Sequence, residues 1–128
     1  MSKLTALVDS ITRYLQSQSL CSEIRVIETK EFSTDRFRMK IRVYLPKGYN
    51  FQISLYVNHG HIDYSYQLFS DRSLLRWDNK EEYGYLSTFP HHHHQIDGSV
   101  VPSPLTGSPM QDLPLVLHFI ERYFQELE

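Results

Sequence analysis

Cysteine is nearly missing from this sequence, since Cys21 is the only one among 128 residues. A single thiol excludes a disulfide within the chain and the paired-cysteine spacing of a zinc site. One free thiol is typical of a reducing compartment. No stretch reaches the roughly 18 apolar residues of a membrane span, and Met1–Leu4 do not begin an apolar signal segment. We therefore expect a cytoplasmic protein that makes no contact with a membrane.

A strong charge of either sign is also missing, because the formal net charge is −2 with all seven histidines neutral. The chain has no global positive field for nucleic acid, so a site for a polyanion must be a local patch. A glycine-rich phosphate loop and a nucleophile elbow are absent as well. The composition, 41% hydrophobic and 22% charged, is that of a globular protein, and the length predicts one domain over residues 1–128.

The two ends of the chain carry apolar residues at helical spacing. The first such segment predicts a helix over residues 2–18, with Ser2 as its N-cap. The second predicts a helix over residues 110–127. Pro114 lies inside this segment and favours a later start, near Asp112.

Residues 22–78 alternate between apolar and polar side chains, which predicts β-strands. The clearest alternation lies in residues 36–45. The turns between successive strands are short, which is typical of an antiparallel meander. A one-faced sheet needs cover on its apolar side, and the terminal helices can provide it. We expect an α+β fold, with an antiparallel meander sheet of about five strands flanked by an N-terminal and a C-terminal helix.

Residues 79–109 lack clear periodicity and are rich in proline, which predicts a long loop of functional importance. Within it, Val100-Val101 can form a brief edge strand that ends at Pro102. The run His91–His94 is its main feature. In an extended segment His92 and His94 share one face, and the other two histidines share the opposite face. Two convergent imidazoles can act as general acid and base, or they can bind a divalent metal. The alternative is a solvated polar loop.

Arg76 and Asp78 flank Trp77 immediately before this loop. If Trp77 points into the core, strand alternation places both charged residues on the accessible face. A guanidinium suits phosphate, and a carboxylate can orient a histidine or join His92 and His94 as a metal ligand. The alternative is an ordinary surface ion pair.

A strip of cationic side chains shares one face of the second predicted strand. Such a strip can follow a phosphate backbone, or it can pair with carboxylates on a neighbouring strand. We weigh these two interpretations equally. The strip consists of Arg36, Arg38, Lys40 and Arg42.

Four segments of the chain resemble the TumE-like family of bacterial and archaeal toxin–antitoxin proteins. They are Tyr64-Ser65-Tyr66-Gln67, Leu75-Arg76-Trp77-Asp78-Asn79, Phe89-Pro90-His91-His92-His93-His94 and Val101-Pro102-Ser103. The resemblance covers roughly residues 62–125. The chain departs from the family pattern at Gln67 and over residues 81–85.

This resemblance implies a small toxin and a cognate helix-turn-helix antitoxin protein as its partner. The positions that match the family motifs are Tyr66, Arg76, Asp78, Asn79, His91, His92 and His94. The predicted order of helix, antiparallel sheet and polar His/Arg face is similar to that of metal-independent endoribonuclease toxins, an analogy at the level of fold.

The resulting hypothesis is an endoribonuclease that needs no cofactor. His92, His94, Arg76 and Asp78 would be its catalytic residues, and RNA would be held by Tyr66, Asn79, His91, Arg38, Lys40 and Arg42. One histidine would deprotonate the ribose 2′-hydroxyl, the other would protonate the leaving oxygen, and the guanidinium would stabilise the phosphorane. The alternatives are a metal-dependent nuclease or hydrolase, with a divalent metal on His92, His94 and Asp78, and a non-enzymatic binding protein. A homodimer is compatible with each hypothesis.

Overall fold

The computed structural model describes residues 1–127, in which a helix stands at each end of a seven-stranded sheet. The helices are α1 (Lys3–Gln16) and α2 (Pro109–Glu126). The strands are β1 (Glu23–Ser33), β2 (Arg36–Tyr44), β3 (Asn50–Asn58), β4 (His61–Phe69), β5 (Ser73–Asp78), β6 (His92–His94) and β7 (Val100–Pro102). In this part of the chain, neither helix combines the length and the apolar character needed to cross a bilayer.

The sheet is a meander in which every strand pairs antiparallel with the next, in the order β1 to β7. The predicted α+β architecture is confirmed, but the expected number of about five strands was too low. The missed strand is β6, within residues 79–109, which we expected to form a loop, while β7 lies where a brief edge strand ending at Pro102 was expected. Strand β6 is three residues long, too short to show an alternating pattern, and histidine is not a typical strand residue.

Alternation divides the sheet into an apolar face, which we call the helix face, and a polar face, which we call the open face. Phe37, Met39, Ile41 and Val43 are buried on the helix face, where side chains of α1 and α2 also lie in the core. Replacing one of them with Ala would cost about 2–5 kcal/mol, because a cavity would replace close packing. The intervening side chains of β2, β3 and β4 stay half-buried or exposed on the open face.

The helix starts differ in how closely they follow the sequence. Ser2 caps α1 as expected, because its hydroxyl oxygen accepts a hydrogen bond from the Thr5 backbone N–H at 3.1 Å. The later start expected for α2 because of Pro114 was wrong, since the helix begins at Pro109. The buried carboxylate of Asp112 accepts hydrogen bonds from the backbone N–H groups of Thr106 and Gly107, at 2.9 and 2.8 Å. These bonds tie the preceding loop to the first turns of the helix and hold the early start.

Candidate functional site

The polar end of β5 meets β6 on the open face of the sheet. In the β5–β6 register, Asp78 lies opposite His92 and Arg76 lies opposite His94. Side chains directly opposite each other in an antiparallel pair point to the same face, about 5 Å apart. We call these four residues the Arg–Asp–His cluster.

The side chains of this cluster are in direct contact. Asp78 Oδ1 lies 2.7 Å from His92 Nε2, and Asp78 Oδ2 lies 2.9 Å from Arg76 Nε. Arg76 Nη2 lies 3.0 Å from His94 Nε2, which is in turn 3.6 Å from Asp78 Oδ2. The Asp78 carboxylate thus lies beside one guanidinium and two imidazoles, which is the shared site that the sequence hypothesis needs.

The two imidazoles differ in their hydrogen-bond partners. His92 Nδ1 faces the Pro90 carbonyl oxygen at 3.1 Å, while its Nε2 faces the Asp78 carboxylate. Both ring nitrogens of His92 therefore face hydrogen-bond acceptors. His94 Nε2 instead faces a guanidinium N–H, so it accepts and His94 is neutral. Burial, followed by the positive charge of Arg76, lowers the pKa of His94.

Access to the cluster is uneven. The His92 and Asp78 side chains are 2% and 9% exposed, whereas those of His94 and Arg76 are 22% and 42% exposed. The Tyr83 ring covers the two histidines, with its centroid 4.6 Å from that of His92 and 5.8 Å from that of His94. A ligand in solution can therefore reach Arg76 and His94 directly, and His92 only after Tyr83 moves.

A groove of about 830 Å³ leads from the cluster across the open face. Its lining carries charges of both signs, with the cations Arg38, Lys40, Arg76 and Lys80 and the carboxylates Glu28, Asp63, Asp78, Glu81 and Glu82, and Ser54 and Ser65 lie between its two ends. Lys40 belongs to the same cross-strand row as Asp78, three strands away, so the two backbones are roughly 14 Å apart. The positive strip and the Arg–Asp–His cluster are thus opposite ends of one polar surface.

The two interpretations of the positive strip both find support. Arg38 forms an ion pair with Glu28 at 2.6 Å, which is the cross-strand pairing that we considered. Lys40 is half-buried in the groove, and no carboxylate of residues 1–127 forms an ion pair with it. Arg42 donates to the Gln52 amide oxygen at 2.7 Å and lies outside the groove lining.

An aromatic residue that the sequence analysis did not single out lies at the far end of the open face. Phe32 is 41% exposed, and its ring centroid lies 5.2 Å from Lys30 Nζ and 4.8 and 5.8 Å from the Cζ atoms of Arg36 and Arg38. A break in the β1–β2 register between Glu31 and Ser33 places Phe32 there. A strict alternation pattern does not reveal such a bulge, so only the cluster of positive charge around it was visible in the sequence.

Of the predicted substrate-binding residues, Tyr66 and His91 lie away from the groove, and Asn79 is held by the sheet at its border. Tyr66 is fully buried on the helix face. His91 is half-buried, and its Nδ1 lies 2.7 Å from the hydroxyl oxygen of Tyr64, another buried residue of that face. Asn79 borders the groove, but its side-chain amide is hydrogen-bonded to the backbone of β4. Its Nδ2 donates to the Ile62 carbonyl, and its Oδ1 accepts from the Tyr64 N–H. These contacts indicate packing and bracing of the sheet rather than substrate binding.

Asp78, His92 and His94 also have the arrangement of a metal site. One ligand atom from each lies within 4.8 Å of the others, and this is the only such group of three or more found in residues 1–127. The Nδ1 of His92 faces a backbone carbonyl, as is usual for a histidine that binds a metal through its other nitrogen. The Arg76 guanidinium, however, already occupies the lone pair of His94 Nε2 and adds positive charge beside a cation.

Comparisons with known proteins give one match. The model of a protein family described as "Toxin TumE" matches residues 11–124, which is most of the chain. A search of curated proteins and a search of solved structures each found no match.

Proposed function

This chain belongs to the TumE toxin family, and from that premise we propose that it is a toxin that acts as a small endoribonuclease in the cytoplasm. A toxin family implies an antitoxin partner, and we propose a cognate helix-turn-helix protein in this role. The observation that carries the proposal is that two imidazoles contact Arg76 and Asp78, which line one end of a groove whose other end carries Arg38 and Lys40.

The proposed reaction begins with a proton transfer to His94. When RNA binds, Arg76, the more exposed of the two groups, moves its hydrogen bond from His94 to a phosphate oxygen and frees the lone pair of His94 Nε2. This nitrogen accepts the proton of a ribose 2′-hydroxyl, and the 2′-oxygen attacks the adjacent phosphorus. Arg76 then stabilises the negative charge that develops on the phosphorane oxygens.

His92 completes the reaction as the general acid. The bond between phosphorus and the 5′-oxygen breaks, and the leaving oxygen takes a proton from His92, whose two nitrogens face Asp78 and the Pro90 carbonyl oxygen. The products are a 2′,3′-cyclic phosphate and a 5′-hydroxyl end. Because Tyr83 covers His92, this step requires Tyr83 to swing away when RNA binds.

The groove provides the binding surface. Lys40 and Arg38 would contact phosphates upstream or downstream of the scissile bond, and the half-buried Tyr56 beside them offers a ring for a base. Phe32, whose ring meets that of Tyr56 edge-on at 6.5 Å, continues this surface towards Arg36. A single strand fits such a surface better than a duplex, because its bases are free to stack on exposed rings.

The experiment that tests the proposal compares two substrates of the same sequence. Purified protein without a polyhistidine tag is incubated with an RNA oligonucleotide and with its 2′-O-methyl form. The proposal predicts cleavage of the first only, since the methyl group removes the nucleophile. Cleavage of both, or of neither when the antitoxin-free protein is toxic in cells, would contradict it.

A metal-dependent hydrolase is a second candidate, favoured by the three converging ligand atoms of Asp78, His92 and His94. It differs from the first proposal in needing a divalent cation. Elemental analysis of the purified protein and assays with a chelator distinguish the two. A stoichiometric metal together with loss of activity in chelator would favour this candidate.

A further inference from the structure

The outer edge of β1 is long and open. β1 is the first strand of the sheet, runs for 11 residues, and has no neighbour on its outer side within residues 1–127. Val26 and Ile27, at its middle, are 46% and 45% exposed. An exposed edge strand with apolar side chains is a template for another strand, and proteins usually shorten or cover such an edge. The opposite edge, β7, has only three residues.

A β-bulge at Ile27 changes which residues of β1 share a face. Val26 pairs with Ile41 of β2 and Glu28 pairs with Lys40, so Ile27 is an extra residue. Glu23 and Arg25, before the bulge, therefore share the open face with Glu28 and Lys30, after it. Without the bulge, residues 28 and 30 would have pointed to the helix face.

This shift determines how β1 can pair with a second copy of itself across a two-fold axis. Residues opposite each other in an antiparallel pair share a face. In a pairing that spans the bulge, opposite residues lie on the same face only when their two residue numbers add up to an odd number. Even sums would place open-face residues against helix-face residues.

One of these registers brings opposite charges together at every charged pair of the open face. When opposite numbers add up to 53, Glu23 faces Lys30 and Arg25 faces Glu28, and the symmetry repeats each pair. At the centre, Val26 faces Ile27 of the second copy, so four exposed apolar side chains meet. A sum of 51 places Glu23 against Glu28, and a sum of 55 places Arg25 against Lys30, which are like charges. Registers centred on one half of β1 pair fewer residues and cover less of the edge.

We propose that the protein forms a symmetric dimer through antiparallel β1–β1 pairing about Val26 and Ile27. Glu28 then lies between Arg38 of its own chain, with which it already pairs, and Arg25 of the second copy. The two-fold axis runs perpendicular to the sheet, so both open faces point to the same side. The result is one 14-stranded sheet, twice the seven strands of a single copy, with the two positive strips on either side of the paired β1 strands at its middle.

Sedimentation of the full chain tests this proposal without any assay of activity, so its outcome is independent of the proposed nuclease. We expect the wild-type protein to approach twice the 15.2 kDa chain mass as concentration rises. Ile27→Lys places like charges at the axis and should yield the single-chain mass at the same concentration. Circular dichroism verifies that the variant is folded, which its exposed position favours.

Charge reversal provides the register-specific part of the test. Glu23→Lys and Lys30→Glu each create two like-charge pairs in the proposed register, so each should shift the protein towards the single-chain mass. The double variant exchanges the charges and should restore the dimer. Arg72→Glu, an exposed reversal in the turn before β5, is the matched control and should leave the mass unchanged.

Three outcomes would overturn the proposal. The first is a wild-type protein that keeps the single-chain mass at every concentration. This outcome would also be seen if an antitoxin segment, and not a second copy, covered β1. The second is a dimer that Ile27→Lys does not affect. The third is a double variant that remains as monomeric as the two single variants.

Discussion

Asp78 Oδ1 lies 2.7 Å from His92 Nε2, so a buried carboxylate and a buried imidazole are in hydrogen-bond contact between neighbouring strands. Each residue lowers the cost of burying the other, because a buried polar group without a hydrogen-bond partner is destabilising. The contact also orients the His92 ring, with Nε2 towards Asp78 and Nδ1 towards the Pro90 carbonyl oxygen. The structure and the proposed chemistry therefore depend on the same contact.

This pairing predicts a strong coupling between the two residues. Asp78→Asn and His92→Gln should each lower the free energy of unfolding by about 3 kcal/mol, because each leaves a buried group without its native hydrogen-bond partner. The double variant should lose clearly less than the sum. Urea denaturation of the four proteins measures the coupling. If the two losses of unfolding free energy simply add up in the double variant, the contact between Asp78 and His92 does not stabilise the fold.

A second prediction concerns His93, which points to the helix face and stacks on Trp77 with ring centroids 4.5 Å apart. Burial, with a smaller effect of His94, lowers the pKa of His93 to about 4. Between its ordinary value of 6.5 and about 4, the unfolded chain binds a proton that the folded protein does not, so stability falls as pH falls through this window.

The measurement for His93 is the free energy of unfolding at pH 7 and at pH 4.5. His93→Phe keeps the stacking surface and removes the titration, as well as a buried Nε2 that has no hydrogen-bond partner within residues 1–127. We expect the wild-type protein to lose about 2 kcal/mol more than this variant between the two pH values. Equal losses would contradict the prediction.

A third prediction concerns Tyr83 as the cover of His92. Tyr83→Ala should expose the His92 ring, so its Nε2 proton should exchange with water at least about tenfold faster, as expected when local protection is lost. Tyr83→Phe keeps the ring and is the matched control. Nuclear magnetic resonance of protein labelled with ¹⁵N-histidine reports the exchange. An unchanged rate in Tyr83→Ala would mean that other groups shield His92.

Much of the fold could be predicted because its elements are long enough to show their period. The alternation from Phe37 to Leu45 identified a strand with one buried face, and the structure has β2 there. The short strand β6 could not be predicted, because three residues show no period and its pairing depends on the end of β5. Strand β7 lies where Val100-Val101 before Pro102 already indicated a brief edge strand. The early start of α2 also depends on tertiary hydrogen bonds to Asp112.

The grouping of the candidate site could be predicted from the sequence, but the contacts of some of its neighbours could not. Alternation alone implied that Arg76 and Asp78 share a face and that His92 and His94 share one, and the structure brings all four together. The catalytic role of these residues stays a prediction. The strand alternation already placed Tyr66 on the apolar face with Tyr64 and Leu68, and its burial agrees with this pattern rather than with the role that the family motif suggested. The backbone bonds of Asn79 could not be read from the sequence, because motif positions that brace a site resemble those that contact a ligand.

A fourth prediction concerns the positive end of the groove. Lys40→Ala and Arg38→Ala should each weaken binding of a non-cleavable 2′-O-methyl oligonucleotide and should lower its dependence on salt. Each phosphate contact contributes about 0.7 to the slope of log affinity against log salt for a single strand. Fluorescence anisotropy at several salt concentrations measures the slope. Lys47→Ala, an exposed residue outside the groove, is the control, and equal slopes in all four proteins would rule out the groove as the binding surface.

The central claim is that His94 takes the proton in a metal-free RNA cleavage, and its most direct test is the single-turnover cleavage rate in the presence of a chelator. His94→Gln should lower this rate by about 10²–10⁴-fold, the usual contribution of a general base. His118→Gln, an exposed histidine on α2, should keep the wild-type rate. Wild-type cleavage should also persist at mildly acidic pH, because burial lowers the pKa of His94 and keeps it neutral there. A His94→Gln protein that cleaves RNA as fast as wild type would contradict the account.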